Sequence, residues 1–209
     1  MAIKYNDTNF LYSSARVRAL ENSVISNERL ERMIEAKSSS DIIASLPEYG
    51  FDIAYDGKDG DKRVLVEQTL LSVLKNAYND ISNMCGEISV ADFLRYPYDC
   101  NNIKAIIKCE SRGVDPSGML FDIGTVPTDK LTESLRDKNY SALPKNMAKA
   151  LPLAEETFAS SANPQQVDLI LDKACFCDML DFARSTGVDY IVELVRTKID
   201  LLNIITCIR

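Results

Sequence analysis

Histidine and tryptophan are absent from these 209 residues. Without imidazole there is no Ser-His-Asp or Cys-His nucleophile, no His-ligated zinc or haem and no His proton shuttle. Long apolar runs are missing too. The longest fall far short of the roughly 20 residues that a membrane-spanning helix needs, and the opening stretch MAIKYNDTNFLYSS lacks the apolar centre of a signal peptide. Any membrane contact is therefore expected to be peripheral. Basic charge is in deficit, with 24 Lys+Arg against 31 Asp+Glu and a net charge of −7. Such a chain repels phosphate backbones and offers anionic lipid no polybasic segment, so nucleic acid is not an expected partner.

Several local patterns also fall short of a site. Gly57 and Gly60 are not followed by Lys-Ser/Thr, so no phosphate-binding loop is present and no nucleotide cofactor is expected. Asp56-Gly-Lys-Asp-Gly-Asp61 with Glu67 invites a calcium loop. Read from Asp56, however, position 3 is Lys58 and position 5 is Gly60, and read from Gly57 the first ligand is missing and position 6 is Lys62, so neither register supplies the ligands. Cys175-Phe-Cys177 would need two further thiolates to bind zinc without histidine, and no Cys-x-x-Cys occurs. The six cysteines follow no recurring spacing and lie mostly in apolar segments, which reads as a reducing, cytosolic compartment and helix-core thiols. An enzyme working through carboxylates alone would have to use a cluster such as Asp172, Asp178 and Asp181. Helical spacing scatters these, since 172 and 178 are six apart, although 178 and 181 could share a face.

What the chain does have is helical periodicity. Val66, Leu70, Val73, Leu74, Ala77 and Ile81 form one stripe; Ile103, Ile106 and Ile107 a second; Ile191, Leu194, Val195, Ile199 and Leu202 a third. Asn163-Pro164 predicts a helix start, and Gly86, Gly113 and Gly187 stand where a left-handed residue would end one. Only Phe51 to Tyr55 and Met119 to Val126 resist a helical reading, and the expected fold class is all-α.

Laid on itself, the chain repeats with an offset of 101. Asp99-Cys-Asn-Asn102-Ile103 returns as Asp200-Leu-Leu-Asn203-Ile204. The same ungapped offset pairs Gly86 with Gly187, Arg95 with Arg196 and Ile107 with Ile208. It also pairs Ser26-Asn27-Glu28-Arg29 with Pro127-Thr128-Asp129-Lys130, both of which read as helix starts. The match fails from Pro47 to Arg63, which is turn-rich, whereas the aligned Ala148 to Ser161 is alanine-rich and helical. The expected organisation is an N-terminal helix in 1–24, a first helical repeat in 25–108, a connector in 109–125 and a second repeat in 126–209. Because the last helix ends in the apolar LLNIITCIR, more chain is expected to follow in the intact protein.

On a helix, Arg196, Asp200 and Asn203 share a face. Two readings are open for them and for Arg95, Asp99 and Asn102: a polar contact to a partner, or a hydrogen-bonded network that fixes how helices cross. A repeated element more often encodes the packing of the repeat, which favours the second. Pro97 puts Asp99 in the first turn of a helix, where its carboxylate could accept orphan N–H groups.

These stretches resemble the C subunits of the V-type (archaeal/bacterial A/V-type) ATP synthases, the counterparts of the d subunit in eukaryotic vacuolar ATPases. The resemblance rests on Asp99 to Lys104, on Arg196 to Ile204 and on the N-terminal Tyr12-Ser-Ser-Ala15-Arg16-Val17-Arg18-Ala19. It implies helical bundle repeats arranged around a funnel, of which two of the family's three are present here, so the chain looks like a fragment or a reduced member. It further implies a non-catalytic subunit, peripheral on the cytoplasmic side of the membrane, that links the central-stalk subunits to the proteolipid rotor ring and transmits torque for ion transport. Metal and cofactor sites are not expected. Ile205 stands where the first repeat has Lys104, which argues against a shared role for that lysine. The rival readings are a generic helical-repeat interaction scaffold, whose usual period of roughly 33 to 47 residues is far shorter than the one found, and the carboxylate-metal enzyme.

Overall fold

The computed structural model describes residues 7–22, 24–51, 62–85 and 92–208. Among them there is no strand, and the helices are α1 (Leu11–Glu21), α2 (Asn27–Ile34), α3 (Ser39–Ser45), α4 (Lys62–Cys85), α5 (Tyr96–Glu110), α6 (Thr128–Arg136), α7 (Lys145–Ser161), α8 (Pro164–Thr186) and α9 (Asp189–Ile208). The all-α expectation holds. The chain divides into two compact units, one of Tyr5–Ser89 and the other containing Val90–Arg209.

In the Tyr5–Ser89 unit, Ser38 caps α3 by accepting from the Asp41 N–H at 3.2 Å, and Ile43 and Leu46 are buried. A short turn over Leu46–Tyr49 ends on left-handed Gly50, and the Arg29 guanidinium lies 5.2 Å from the centre of the Tyr49 ring. The Ser13 hydroxyl donates to the Met84 carbonyl at 2.8 Å, tying α1 to the end of α4. The expected apolar stripe of α4 lies on a helix, but Leu70, Val73 and Leu74 are 47%, 36% and 36% exposed. Periodicity located the helix without locating its cover. Residues 52–55, the Asp56–Asp61 turn and Gly86 lie outside the described residues.

In the unit of Val90–Arg209, α8 is the central element, packed by α5, α7 and α9. Its start follows the sequence: the Asn163 side chain accepts from the Gln165 N–H at 3.0 Å and Pro164 takes the first helical position, where its missing N–H costs nothing. Its end follows too, at left-handed Gly187 (φ 69°). Ile103 and Ile106 of α5, Leu131 of α6, Met147 and Leu151 of α7, Val167, Leu171 and Met179 of α8 and Val195 of α9 are all buried in one core. Each buried leucine contributes about 2 kcal/mol from apolar burial. Phe182 stacks on Phe93 at 5.7 Å and meets the edge of Tyr96 at 6.2 Å, so α8 also anchors the turn that precedes α5.

Two helix boundaries keep the sequence offset, whereas the motif helices do not, α5 and α9 opening at Tyr96 and Asp189, 93 residues apart. Asn27 and Thr128 open α2 and α6, 101 residues apart, and Cys85 and Thr186 close α4 and α8 at the same distance.

Candidate functional site

Arg95, Asp99 and Asn102 are spaced four and three apart, which on α5 places them on one face. α5 begins at Tyr96, with Pro97 in its first turn, where a missing N–H is tolerated. Asp99 does fall in the first turn, as Pro97 predicted, and both Asp99 and Asn102 are fully buried.

Their partners are neither α5's own N–H groups nor a neighbouring helix. They belong to the segment between α5 and α6. The Asp99 carboxylate accepts from the Thr125 N–H at 2.9 Å and the Thr125 hydroxyl at 2.6 Å through Oδ2, and from the Val126 N–H at 3.2 Å through Oδ1. Asn102 donates from Nδ2 to the Phe121 carbonyl at 2.8 Å and accepts from the Phe121 N–H on Oδ1 at 2.8 Å. The Arg95 guanidinium donates to the Ile123 and Gly124 carbonyls at 2.7 and 2.6 Å. Three side chains thus hold the backbone of residues 121–126. Leu120 to Val126, most of the stretch that resisted a helical reading, is irregular, and the triad supplies partners for backbone groups of Phe121, Ile123, Gly124, Thr125 and Val126 that a helix would otherwise pair.

Burial pushes the Asp99 carboxyl above the ordinary aspartate range, against the downward pull of the Thr125 and Val126 hydrogen bonds and of the Arg95 charge. Gly124 is required for the close approach: a Cβ on it would stand 2.0 Å from Asp99 Oδ1.

Lys104, next on the motif, turns to α8. Its Nζ bonds Asp172 Oδ1, and one turn on Lys108 pairs with Asp168 at 2.6 Å. These two pairs lie across the α5–α8 contact, so Lys104 serves a junction that Ile205 on α9 does not reproduce. Arg196, Asp200 and Asn203 share a spacing with the first triad, and Arg196 like Arg95 pairs with an acid three residues before it, but they make none of the loop contacts. All three are exposed, and Arg196 pairs with Glu193 of its own helix at 2.6 Å.

Of the three carboxylates weighed for a metal, Asp172 stands apart and holds Lys104, while Asp178 and Asp181 share the Asn146 side-chain amide, which donates to both at 2.8 and 2.9 Å. Asp178, buried on α8, accepts from the Asn146 N–H at 2.8 Å and the Met147 N–H at 2.8 Å, capping α7 where Pro144 has no side-chain oxygen to offer. Sequence reasoning missed this cap. Its only signal was a helix starting after proline without Ser, Thr, Asp or Asn at the cap position. Replacing Asp178 with Ala is expected to lower stability by about 2 kcal/mol, the upper end for a lost cap, because the buried Met147 N–H and the partly buried Asn146 N–H then lose their acceptor; the shift in the urea midpoint followed by circular dichroism measures it.

Cys100, Cys109 and Cys175 are buried, while Cys177 and Cys207 are exposed. The Cys175 thiol is pushed above the ordinary thiol range by its hydrogen bond with Cys100 and by burial. Iodoacetamide should therefore label Cys177 and Cys207 in the native protein and leave the three buried thiols unmodified until denaturant is added, as peptide mass spectrometry would show.

Compared with known proteins, the chain matches the ATP synthase (C/AC39) subunit family over residues 13–209. It is 24% identical to the A-type ATP synthase C subunit of Thermococcus gammatolerans, over 97% of this chain and 57% of that protein. It is 22% identical to the protein of the same description from Thermococcus kodakarensis, over 99% and 58%, and 23% identical to that from Methanocaldococcus jannaschii, over 93% and 52%. The chain therefore spans little more than half the length of these relatives. No solved structure matches it.

Proposed function

Because the chain belongs to the ATP synthase (C/AC39) subunit family, we propose that it works as a non-catalytic coupling part of a rotary V/A-type ATPase, joining the central shaft to the proteolipid ring and transmitting torque for ion transport. The observation that carries this reading is the family match along residues 13–209, together with relatives that are themselves named as a subunit of the synthase.

The physical character of the Val90–Arg209 unit suits such a role. A torque-bearing part must resist shear, and stiffness comes from close packing and from backbone that is pinned wherever it is not helical. The loop between α5 and α6 is the weak point of a helical body, and seven of its backbone and hydroxyl groups are bonded by Arg95, Asp99 and Asn102. No helix among the described residues is long and apolar enough to cross a membrane, which agrees with a peripheral contact to the ring on the cytoplasmic side. On this reading the two motif copies belong to two of the family's helical repeats, with boundaries near residues 25–108 and 126–209.

The test is to mix the purified protein with the central-shaft subunits and, separately, with detergent-solubilised rotor ring, and to follow co-migration on size exclusion. Binding to both supports the coupling role. Failure to bind either, by a full-length protein, overturns it.

A further inference from the structure

Two of the buried thiols meet across the α5–α8 contact. Cys100 of α5 and Cys175 of α8 belong to the one core of the Val90–Arg209 unit and are 1% and 2% exposed. The Cys100 thiol donates to Asp172 Oδ1 at 3.8 Å. Asp172 and Cys175 are three apart on α8 and so share a face of it, and on that face the Cys175 thiol donates to the Cys100 sulfur. Water comes close to this pair from one side. Asn101, Lys104, Ala105, Lys108, Asp168 and Asp172 line a surface groove of about 410 Å³. The Asp172 side chain is 49% exposed, and its Oδ1, which Cys100 touches, is also the oxygen that Lys104 holds. The Lys104–Asp172 ion pair therefore stands between the groove and the Cys100 sulfur.

We propose that Cys100 and Cys175 form a redox-closable pair: a small hydroperoxide entering past Asp172 oxidises them to a disulfide that staples α5 to α8. Cys175 keeps its proton in the bond to Cys100, so Cys100 is the sulfur that attacks. Its thiolate takes the terminal peroxide oxygen, the O–O bond breaks, and the departing oxygen picks up the proton that Cys100 lost, leaving a sulfenic acid on Cys100. The Cys175 sulfur then attacks that sulfenic sulfur. The S–S bond forms, the S–O bond breaks, and water leaves with the Cys175 proton. The two thiols lose two electrons and the peroxide gains them. A disulfide adds no atom to the core, whereas alkylation must fit a new group into it, so a pair closed to iodoacetamide can still be oxidised. In a reducing compartment the pair rests as thiols and closes only when peroxide is present. Once closed, the bond completes a covalent loop that contains α6 and α7. The inference does not depend on the rotary role, because it rests on the chemistry of one helix contact.

The test treats the Cys177→Ser/Cys207→Ser protein, which lacks the exposed Cys177 and Cys207, with hydrogen peroxide under native conditions, and reads the products by non-reducing peptide mass spectrometry. The expected product is a monomer in which the tryptic peptides 96–104 and 174–184 are joined with the loss of two hydrogens. Its melting midpoint, followed by circular dichroism, should rise by at least about 5 °C, since the bond constrains the unfolded chain. Dithiothreitol should reverse both changes, and adding Cys100→Ser should abolish both. Asp172→Ala, which removes the screen over the sulfur, should speed closure by at least about threefold. Five outcomes overturn the proposal: no bond between Cys100 and Cys175 in a protein that peroxide leaves folded, a bond that forms only after urea opens the chain, sulfinic acid accumulating on Cys100 beside an unreacted Cys175, a bond with no rise in the midpoint, or closure no faster in Asp172→Ala.

Discussion

Asp99→Ala lowers the stability of the Val90–Arg209 unit by about 3–5 kcal/mol, the range for removing one partner from a buried charged network. The substitution leaves the Thr125 and Val126 N–H groups facing a cavity with no acceptor and removes a nearby negative charge from Arg95, which still pairs with Asp92 and holds two carbonyls of the loop. Each stranded donor accounts for about 1–3 kcal/mol of that loss. With no tryptophan in the chain, urea unfolding followed by circular dichroism and tyrosine fluorescence is the measurement. The two compact units require the transitions to be fitted separately unless they coincide. A loss under about 1 kcal/mol, the net worth of one ordinary hydrogen bond, would mean that the loop does not depend on its clamp.

The same residue carries a pH signature. Its folded pKa lies above the ordinary aspartate value. Between the unfolded and the folded pKa the native state therefore binds a proton that the unfolded chain has released, so this group's contribution to stability is largest below the unfolded value and declines as pH rises through the folded one. Asp99→Asn removes that slope, and comparing the pH dependence of its unfolding with the parent's isolates the contribution. The amide also presents an NH2 where the carboxylate accepts, so Asp99→Asn is less stable than the parent at neutral pH as well.

The elements were legible in the sequence where local chemistry decides them. α2 and α6 start at Asn27 and Thr128 as read, though without a side-chain cap hydrogen bond, while Asn163-Pro164 caps α8 and Gly187 closes it, because caps and left-handed residues act within one turn of where they stand. The triad was legible as a set, since spacing of four and three puts three polar residues on one helix face wherever the helix goes. Its partners were not. Phe121, Ile123, Gly124, Thr125 and Val126 lie 19 to 29 residues from the side chains that hold them, and they offer mainly backbone groups, which every residue possesses and no pattern displays. Asp178 was hidden for the same reason: it caps a helix whose first turn lies 31 and 32 residues before it. Nor does periodicity say which copy of a motif is covered. α5 and α9 share identities at Arg95, Asp99, Asn102 and Ile103, yet the first set packs against later chain and the second stands open, and Leu70, Val73 and Leu74 on α4 keep a helical stripe without full burial.

Gly124→Ala is expected to cost about 3 kcal/mol, the upper end for overpacking, through a mechanism distinct from the glycine's backbone freedom. The added Cβ would stand 2.0 Å from Asp99 Oδ1 and 2.9 Å from its Cγ, and the carboxylate cannot retreat without breaking its bonds to Thr125 and Val126. Charge-assisted hydrogen bonds lost on such a displacement are worth about 1.5–3 kcal/mol each. Gly118→Ala is the control: nothing lies within 4 Å of its added Cβ, so the change stays within about 0.5 kcal/mol of neutral. If the clash with Asp99 is the cause, the double variant Asp99→Ala/Gly124→Ala must be destabilised by less than the sum of the single variants, by at least about 1 kcal/mol, because removing the carboxylate opens the space that the methyl needs. Additive losses in that cycle would show that Gly124 and Asp99 act separately. The clamp would then be a set of independent bonds rather than one interlocked unit.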